Sequence, residues 1–201
     1  MSLFYCQSQE KKKQSIFKLH SVTLYYGLGA EDNFAFNDED YIYKSDVIKA
    51  SFYYPINQHN YQLGLSLQPQ IHFLEHQLLN KYFVQGHEAN FEILRDRYTQ
   101  LKQMNLYALQ GELSIRKKFA KKLEVFAFLS IGPAFIDTET ERLSKGFTFI
   151  ENLGIGVHYK FGRLWFFSFK PSLSHISNAE LQENNSGYNS MNIEFGLGFN
   201  I

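Results

Sequence analysis

Residues 165–177, which read WFFSFKPSLSHIS, decide the fold class of this chain. Every second residue of the stretch is apolar as far as Leu173, and the residues between them become polar from Ser168 onwards. Successive side chains of a β-strand point to opposite faces of its sheet. The stretch therefore predicts a strand with one apolar and one polar face. Continuing the count places His175 and Ser177 on the apolar face, where an imidazole beside a hydroxyl requires an explanation.

The same period of two recurs along the rest of the chain. In the other stretches too, one face is apolar and the other carries small or polar residues, among them many Gly, Ser and Gln. A transmembrane strand needs about 9–11 residues, and these stretches, of 8 to 13 residues, have about the length that spans a bilayer. The predicted strands are 16–28, 47–54, 61–73, 106–117, 123–135, 147–159, 165–177 and 192–201.

The connections between the predicted strands alternate between short and long. Outer-membrane barrels have short periplasmic turns and longer external loops. The sequence therefore predicts an all-β fold, an eight-stranded antiparallel transmembrane β-barrel in the bacterial outer membrane. Residues 15–201 would form this barrel, and residues 1–14 a polar leader or the remnant of a signal peptide. The short connections are 55–60, 118–122 and 161–163, and the longer ones are 30–46, 74–105, 136–146 and 179–188.

The composition agrees with a membrane barrel. Aromatic residues make up 17% of the chain, with 20 Phe and 13 Tyr, and membrane barrels place such rings at both interfaces. The net charge is zero, from 20 basic and 20 acidic residues, which gives no basis for a nucleic-acid partner. The single cysteine, Cys6, excludes an internal disulfide framework. No metal or cofactor is predicted.

Three prolines fall within predicted strands. Pro69, Pro133 and Pro171 cannot donate a ladder hydrogen bond, because proline has no backbone N–H. We expect a bulge or kink near the outer rim of the barrel at each of them.

In this topology the strand 165–177 reaches the outer leaflet near His175. The Cα atoms of His175 and Ser177 are about 6.5–7 Å apart, so that the two side chains can form a base–nucleophile pair. Asn189 is two residues before Met191 and therefore faces outward with it. It is placed to lie opposite His175, where it would orient the imidazole as the third member of a triad. Ordinary polar residues at the membrane interface are the alternative interpretation.

Three motifs in the second half of the chain resemble the lipid A 3-O-deacylase family of the PagL type. The resemblance implies an outer-membrane barrel that hydrolyses the ester-linked acyl chain at position 3 of lipid A. It also implies lipid A, or lipopolysaccharide, in the outer leaflet as the partner. The motifs are His175-x-Ser177-Asn178-Ala179 with Asn185-x-Gly187, Gly146-Phe-Thr-Phe149 with Gly154-Ile-Gly156, and Lys170-Pro-x-Leu-x-His175.

The resemblance also implies roles for individual residues. Ser177 would be the nucleophile and His175 the general base. Asn178 would help to form the oxyanion hole, with the backbone N–H of Glu180 as the second donor. At the position of the family's triad acid this chain has Asn189, whose amide can orient an imidazole but carries no charge.

Several points stay open at the level of the sequence. Glu180 and Glu183 are alternative carboxylates in the loop that follows the strand. Phe169 and Leu173, on the same apolar face as His175, are the candidates for substrate binding. The competing interpretation is a non-catalytic barrel, either a structural or adhesion protein or a small channel. A soluble lipid-binding barrel of the lipocalin type is the third candidate. The sequence does not decide which acyl chain is removed or whether the barrel forms a homodimer.

Overall fold

The computed structural model describes residues 18–32, 38–57 and 61–201. Within them, eight antiparallel strands form a closed barrel in chain order, and the last strand pairs with the first. The predicted fold class is confirmed. The leader 1–14 and the predicted start of the first strand at residue 16 lie outside the described residues. The strands are β1 Ser21–Ala30, β2 Tyr41–Pro55, β3 Gln62–Leu78, β4 Lys102–Lys118, β5 Leu123–Ile136, β6 Gly146–Phe161, β7 Trp165–Ser177 and β8 Tyr188–Asn200.

The two faces of each strand lie on opposite sides of the barrel wall. Burial alternates residue by residue, with the polar set buried inside and the apolar set exposed outside. Leu24, Leu129 and Leu153, for example, are each more than half exposed. A belt of exposed leucine and phenylalanine is unfavourable in water but suits a hydrocarbon environment. The outer surface therefore faces lipid.

Near the end with the long loops, several strands extend further than predicted. β2 begins at Tyr41, β3 continues to Leu78 and β4 begins at Lys102. On β2, β3, β4, β7 and β8 the alternation continues there with the two faces exchanged, because outward positions become polar and inward positions apolar. We call the outward polar set the outer rim: Lys44, Asp46, Glu75, Gln103, Glu151, His175 and Asn189. We call the buried inward set the apolar plug: Tyr41, Tyr43, Leu74, Met104, Leu106, Ala134, Ile136, Leu143, Ile150, Ile176 and Tyr188.

The middle of the lumen is filled by paired charges. Lys170 Nζ donates to Glu112 Oε2 at 2.6 Å, and Lys49 Nζ donates to Glu194 Oε1 at 2.7 Å. Glu112 also accepts a hydrogen bond from Gln68 Nε2 at 2.8 Å. All five side chains are buried. The filled lumen argues against the small-channel alternative.

The two ends of the barrel differ. At the end with the short turns, a cavity of about 720 Å³ is lined by basic and aromatic side chains that include Tyr53, Arg116 and Lys160. At the opposite end, the long connection after β3 contains a 3₁₀ turn, Lys81–Phe83, and a helix α1, Phe91–Tyr98. No helix in the described part of the chain is long and apolar enough to cross a membrane.

The strand prolines do not create bulges. Pairing of β2 with β3 is interrupted between Lys49↔Gln70 and Phe52↔Leu67, next to Pro69, yet the register is the same on both sides of the gap. The ladders beside Pro133 and Pro171 are interrupted in the same way. Because no residue is inserted, the predicted bulges are wrong. Proline only removes a donor here, and each proline still pairs with the strand on its other side.

The buried pair in the lumen gives a prediction about stability. We expect Lys170→Met to lower the free energy of unfolding by about 3–5 kcal/mol, since it leaves Glu112 buried without its cation. The double variant Lys170→Met/Glu112→Gln should recover part of this loss. Urea unfolding in detergent, followed by the fluorescence of Trp165, measures both.

A matched control is the exposed pair of Arg97 and Glu139, whose N···O distance is 3.1 Å. Arg97→Met should change the free energy of unfolding by less than about 1 kcal/mol. If Lys170→Met unfolded at the same urea concentration as the wild type, the pair would not stabilise the barrel.

Candidate active site

Strand register places three polar side chains in one row across the outer rim. Glu151 of β6 lies opposite His175 of β7, and His175 lies opposite Asn189 of β8. His175 Nδ1 is 2.7 Å from Asn189 Oδ1. An amide oxygen only accepts hydrogen bonds, so Nδ1 must carry the proton of the neutral imidazole. Nε2 is then left unprotonated, as a general base requires.

Ser177 lies two residues further along β7, on the same side of the barrel wall as His175. Both residues are half-buried and alternate with the buried Ser174, Ile176 and Asn178. The backbone carbonyl of Ser177 accepts a hydrogen bond from Thr148 Oγ1 at 2.6 Å, which ties the end of β7 to β6.

The hydroxyl of Ser177 makes no hydrogen bond with another described residue. The structure therefore brings Asn189 to His175 but does not join Ser177 Oγ to the imidazole. In substrate-free enzymes the bond between nucleophile and base is often long and tightens when the substrate binds. The arrangement is compatible with nucleophilic chemistry at this position.

Asn178 is fully buried and holds the loop 178–187 together. Its backbone N–H donates to Asn185 Oδ1 at 2.7 Å, and its side-chain Nδ2 donates to the carbonyl of Asn184 at 2.8 Å. The amide of Asn184 in turn donates to the carbonyl of Thr140 at 3.0 Å. This network fixes the start of the loop against its end and against the neighbouring loop.

Gly187 explains the second half of the motif Asn185-x-Gly187. Its φ is +66°, and a Cβ atom at this position would lie 2.5 Å from the carbonyl oxygen of Ile176. Only glycine fits such a position without strain. Its N–H and its carbonyl both bond to Arg142, at 2.9 Å each. The loop 137–145 therefore holds the chain where it turns back toward Asn189.

A strained turn follows Ser177. Leu181 N–H donates to the carbonyl of Asn178 at 3.1 Å, and the two residues between them have positive φ, 53° at Ala179 and 61° at Glu180. This conformation costs an L-residue about 1–2 kcal/mol, and such strain clusters at functional sites. Neither of these two N–H groups donates to another described residue, and both residues are exposed. The turn can offer backbone donors to an anion.

Phe169 and Leu173, the candidates for substrate binding, both point outward and are each 40% exposed. The ring of Phe169 packs against Phe195, with ring centroids 5.3 Å apart. Together they form an apolar strip that leads along β7 toward His175.

Glu151 is not among the residues predicted from the sequence, although the sequence holds a signal for its position opposite His175. The hairpin between β6 and β7 pairs Phe161 with Trp165, and counting back from that turn leads to Glu151 opposite His175. The loop carboxylates Glu180 and Glu183 are exposed and form no ion pair with another described residue. Within the described ranges, no group of three or more His, Cys, Asp or Glu residues is arranged to hold a metal ion.

The comparisons with known proteins decide the family. The family model described as "Lipid A 3-O-deacylase (PagL)" matches residues 24–198, which include every residue of this site. The chain belongs to the lipid A 3-O-deacylase (PagL) family. No match was found among curated proteins.

Solved structures resemble this PagL-family chain in fold. The crystal structure of the outer membrane enzyme PagL is 12% identical, with a TM-score of 0.54, and the match covers 88% of this chain and 97% of that one. Neisserial surface protein A is 13% identical, with a TM-score of 0.44 and coverages of 90% and 96%. The N-terminal β-barrel domain of Pseudomonas aeruginosa OprF is 16% identical, with a TM-score of 0.40 and coverages of 90% and 97%.

The location of this PagL-family protein follows from the fold and the family together. A closed barrel with an apolar outer belt and a filled, polar lumen is the architecture of outer-membrane proteins. The protein is a barrel of the bacterial outer membrane.

The hydrogen bond between His175 and Asn189 gives a prediction about reactivity. We expect Asn189→Ala to slow the labelling of Ser177 by a small fluorophosphonate about tenfold, the equivalent of one neutral hydrogen bond. Mass spectrometry of the labelled protein measures the rate. Asn200→Ala, which removes an amide at the far end of the same strand, should leave the rate unchanged. Equal rates in the wild type and Asn189→Ala would show that Asn189 does not orient the base.

Proposed function

We propose that this protein removes the ester-linked acyl chain at position 3 of lipid A in the outer leaflet, with Ser177 as nucleophile and His175 as general base. The observation that carries the proposal is the 2.7 Å hydrogen bond from His175 to Asn189. It fixes an imidazole with a free Nε2 beside a serine, on the outward side of a barrel of the lipid A 3-O-deacylase family.

The proposed reaction is acyl transfer in two steps. His175 Nε2 takes the proton of Ser177, whose Oγ forms a bond with the ester carbonyl carbon. The tetrahedral intermediate then breaks the bond to the sugar oxygen, which leaves with the proton held by His175. In the second step His175 takes a proton from water as the water oxygen attacks the carbonyl carbon of the acyl-enzyme. The bond from this carbon to Ser177 Oγ then breaks, His175 returns the proton to Oγ, and the fatty acid is released.

The turn after Ser177 supports a role in stabilising the oxyanion. Glu180 is exposed, and its backbone N–H is not engaged by another described residue. Glu180 would donate this N–H to the developing oxyanion. Asn178 contributes to this oxyanion hole by fixing the turn, because its carbonyl accepts from Leu181 and its amide bonds to Asn184.

Lipid A would reach this site by lateral diffusion rather than through the barrel. The lumen is filled by paired charges, while Phe169 and Leu173 form an apolar strip on the outer surface. An acyl chain along this strip would bring its ester, at the boundary with the headgroups, to the height of His175.

A second candidate function is a non-catalytic eight-stranded barrel with a structural or adhesive role. Asn189 favours it, because an amide stands where a charged triad acid would stabilise the imidazolium.

The test is mass spectrometry of lipid A after incubation with the purified barrel in detergent. The wild type should remove one hydroxyacyl mass, and Ser177→Ala and His175→Ala should lose about 1,000-fold or more of this activity. A matched control is Ser174→Ala, because the hydroxyl of Ser174 is buried inside the barrel without a hydrogen-bond partner. Undiminished hydrolysis by Ser177→Ala would exclude the proposed nucleophile, and unchanged lipid A with every folded variant would favour the second candidate.

A further inference from the structure

We propose that Glu151 is a positioning residue that supplies the His175 imidazole with the negative charge that Asn189 lacks. The inference deepens the proposed function and rests on it. It adds a residue of β6 to a site whose other named residues lie on β7, on β8 and in the loop between them.

Strand register carries the inference. Glu151 and His175 are direct partners in the β6–β7 ladder. Directly opposed residues of antiparallel strands have Cβ atoms about 4.5–5.5 Å apart on the same face. A glutamate side chain is long enough to reach a neighbouring imidazole across this gap. The backbone of two paired strands therefore places Glu151 within reach of the base.

Glu151 is exposed and forms no hydrogen bond or ion pair with another described residue. Its partner on the other side, in β5, is Ile131, and the outward residues before and after it on β6 are Phe149 and Leu153. A carboxylate among apolar side chains on the lipid-facing wall is unfavourable unless an opposite charge balances it. On the neighbouring strands, His175 is the directly opposed group that can acquire such a charge.

The other groups around His175 do not supply a fixed charge. On β7 its outward neighbours are Leu173 and Ser177, and on β8 its partner is the neutral Asn189. Arg142 bonds to the carbonyl of Gly187 in the adjacent loop and brings positive charge to this side. The loop carboxylates Glu180 and Glu183 are exposed and unpaired among the described residues.

The geometry divides the work of a triad acid between two residues. Asn189 accepts from Nδ1 and sets the tautomer, which leaves Nε2 for the proton of Ser177. Glu151 acts through its charge, because it stabilises the imidazolium that forms when His175 takes this proton. Near a lipid surface, where the effective dielectric constant is lower than in water, such a charge has a larger effect than it would in solution.

The experiment measures two rates for each variant in detergent: labelling of Ser177 by a small fluorophosphonate across a range of pH, and hydrolysis of lipid A. Glu151→Gln keeps the size of the side chain and removes its charge. Glu75→Gln is the matched control, because Glu75 is also an exposed carboxylate of the outer rim, on β3 and away from His175. The faster migration of unboiled barrels in gels shows that each variant is folded.

We expect Glu151→Gln to slow labelling about 10-fold to 100-fold, because the imidazolium then forms without the neighbouring negative charge. Glu75→Gln should match the wild type. Asn189→Glu in the Glu151→Gln background should restore most of the rate, because it returns a charge to the imidazole from the other side.

Two results separate this inference from the proposed function. If Glu151→Gln were labelled as fast as the wild type at every pH, the inference would be overturned even with a wild type that hydrolyses lipid A. If labelling depended on Glu151 while lipid A stayed intact, the inference would stand and the proposed substrate would be wrong.

Discussion

The barrel exists as a membrane protein because its sheet closes between β1 and β8. A strand edge in hydrocarbon would leave its backbone N–H and C=O groups without partners, and the pairs from Ser21↔Asn200 to Ala30↔Met191 remove that edge. Closure also fixes which side chains face lipid and which face the lumen. The polar side chains must then find hydrogen-bond and ion-pair partners among themselves inside a narrow lumen. The buried pairs of Lys170 with Glu112 and of Lys49 with Glu194 provide such partners.

The change of phase at the outer rim turns this wall into a candidate site. Below it, outward side chains are apolar and carry no chemistry. At the height of the rim, Glu151, His175 and Asn189 occupy outward-facing positions, while the apolar plug fills the lumen behind them. The bonded loops 137–145 and 178–187 cover this end of the barrel and hold the turn that follows Ser177. A lipid headgroup would meet these polar groups while its acyl chains lie along the apolar wall.

Much of the fold could be predicted from period-two alternation, because one face of each strand meets lipid and the other meets a polar lumen. The same parity places His175, Ser177 and Asn189 on one side. The extension of β2 to Tyr41 could not be found in this way, since the apolar and polar faces exchange sides there. Glu151 was not predicted as a site residue, because only the register between β6 and β7 places it opposite His175 and no motif includes it. The loop network of Asn178 depends on side-chain hydrogen bonds between residues distant in sequence, which alternation does not contain.

The proposed function requires this site to meet lipid A on the outer wall of the barrel. Its most direct test is photocrosslinking in intact outer membranes, with a photoreactive amino acid introduced at Leu173, which is 40% exposed outside, or at Ser172, which is buried inside. The two positions are adjacent in sequence and differ only in the side of the wall that they face. We expect crosslinks to lipopolysaccharide from position 173 and none from position 172. Crosslinks from position 172 alone would contradict the proposed function, because they would place the lipid in the lumen.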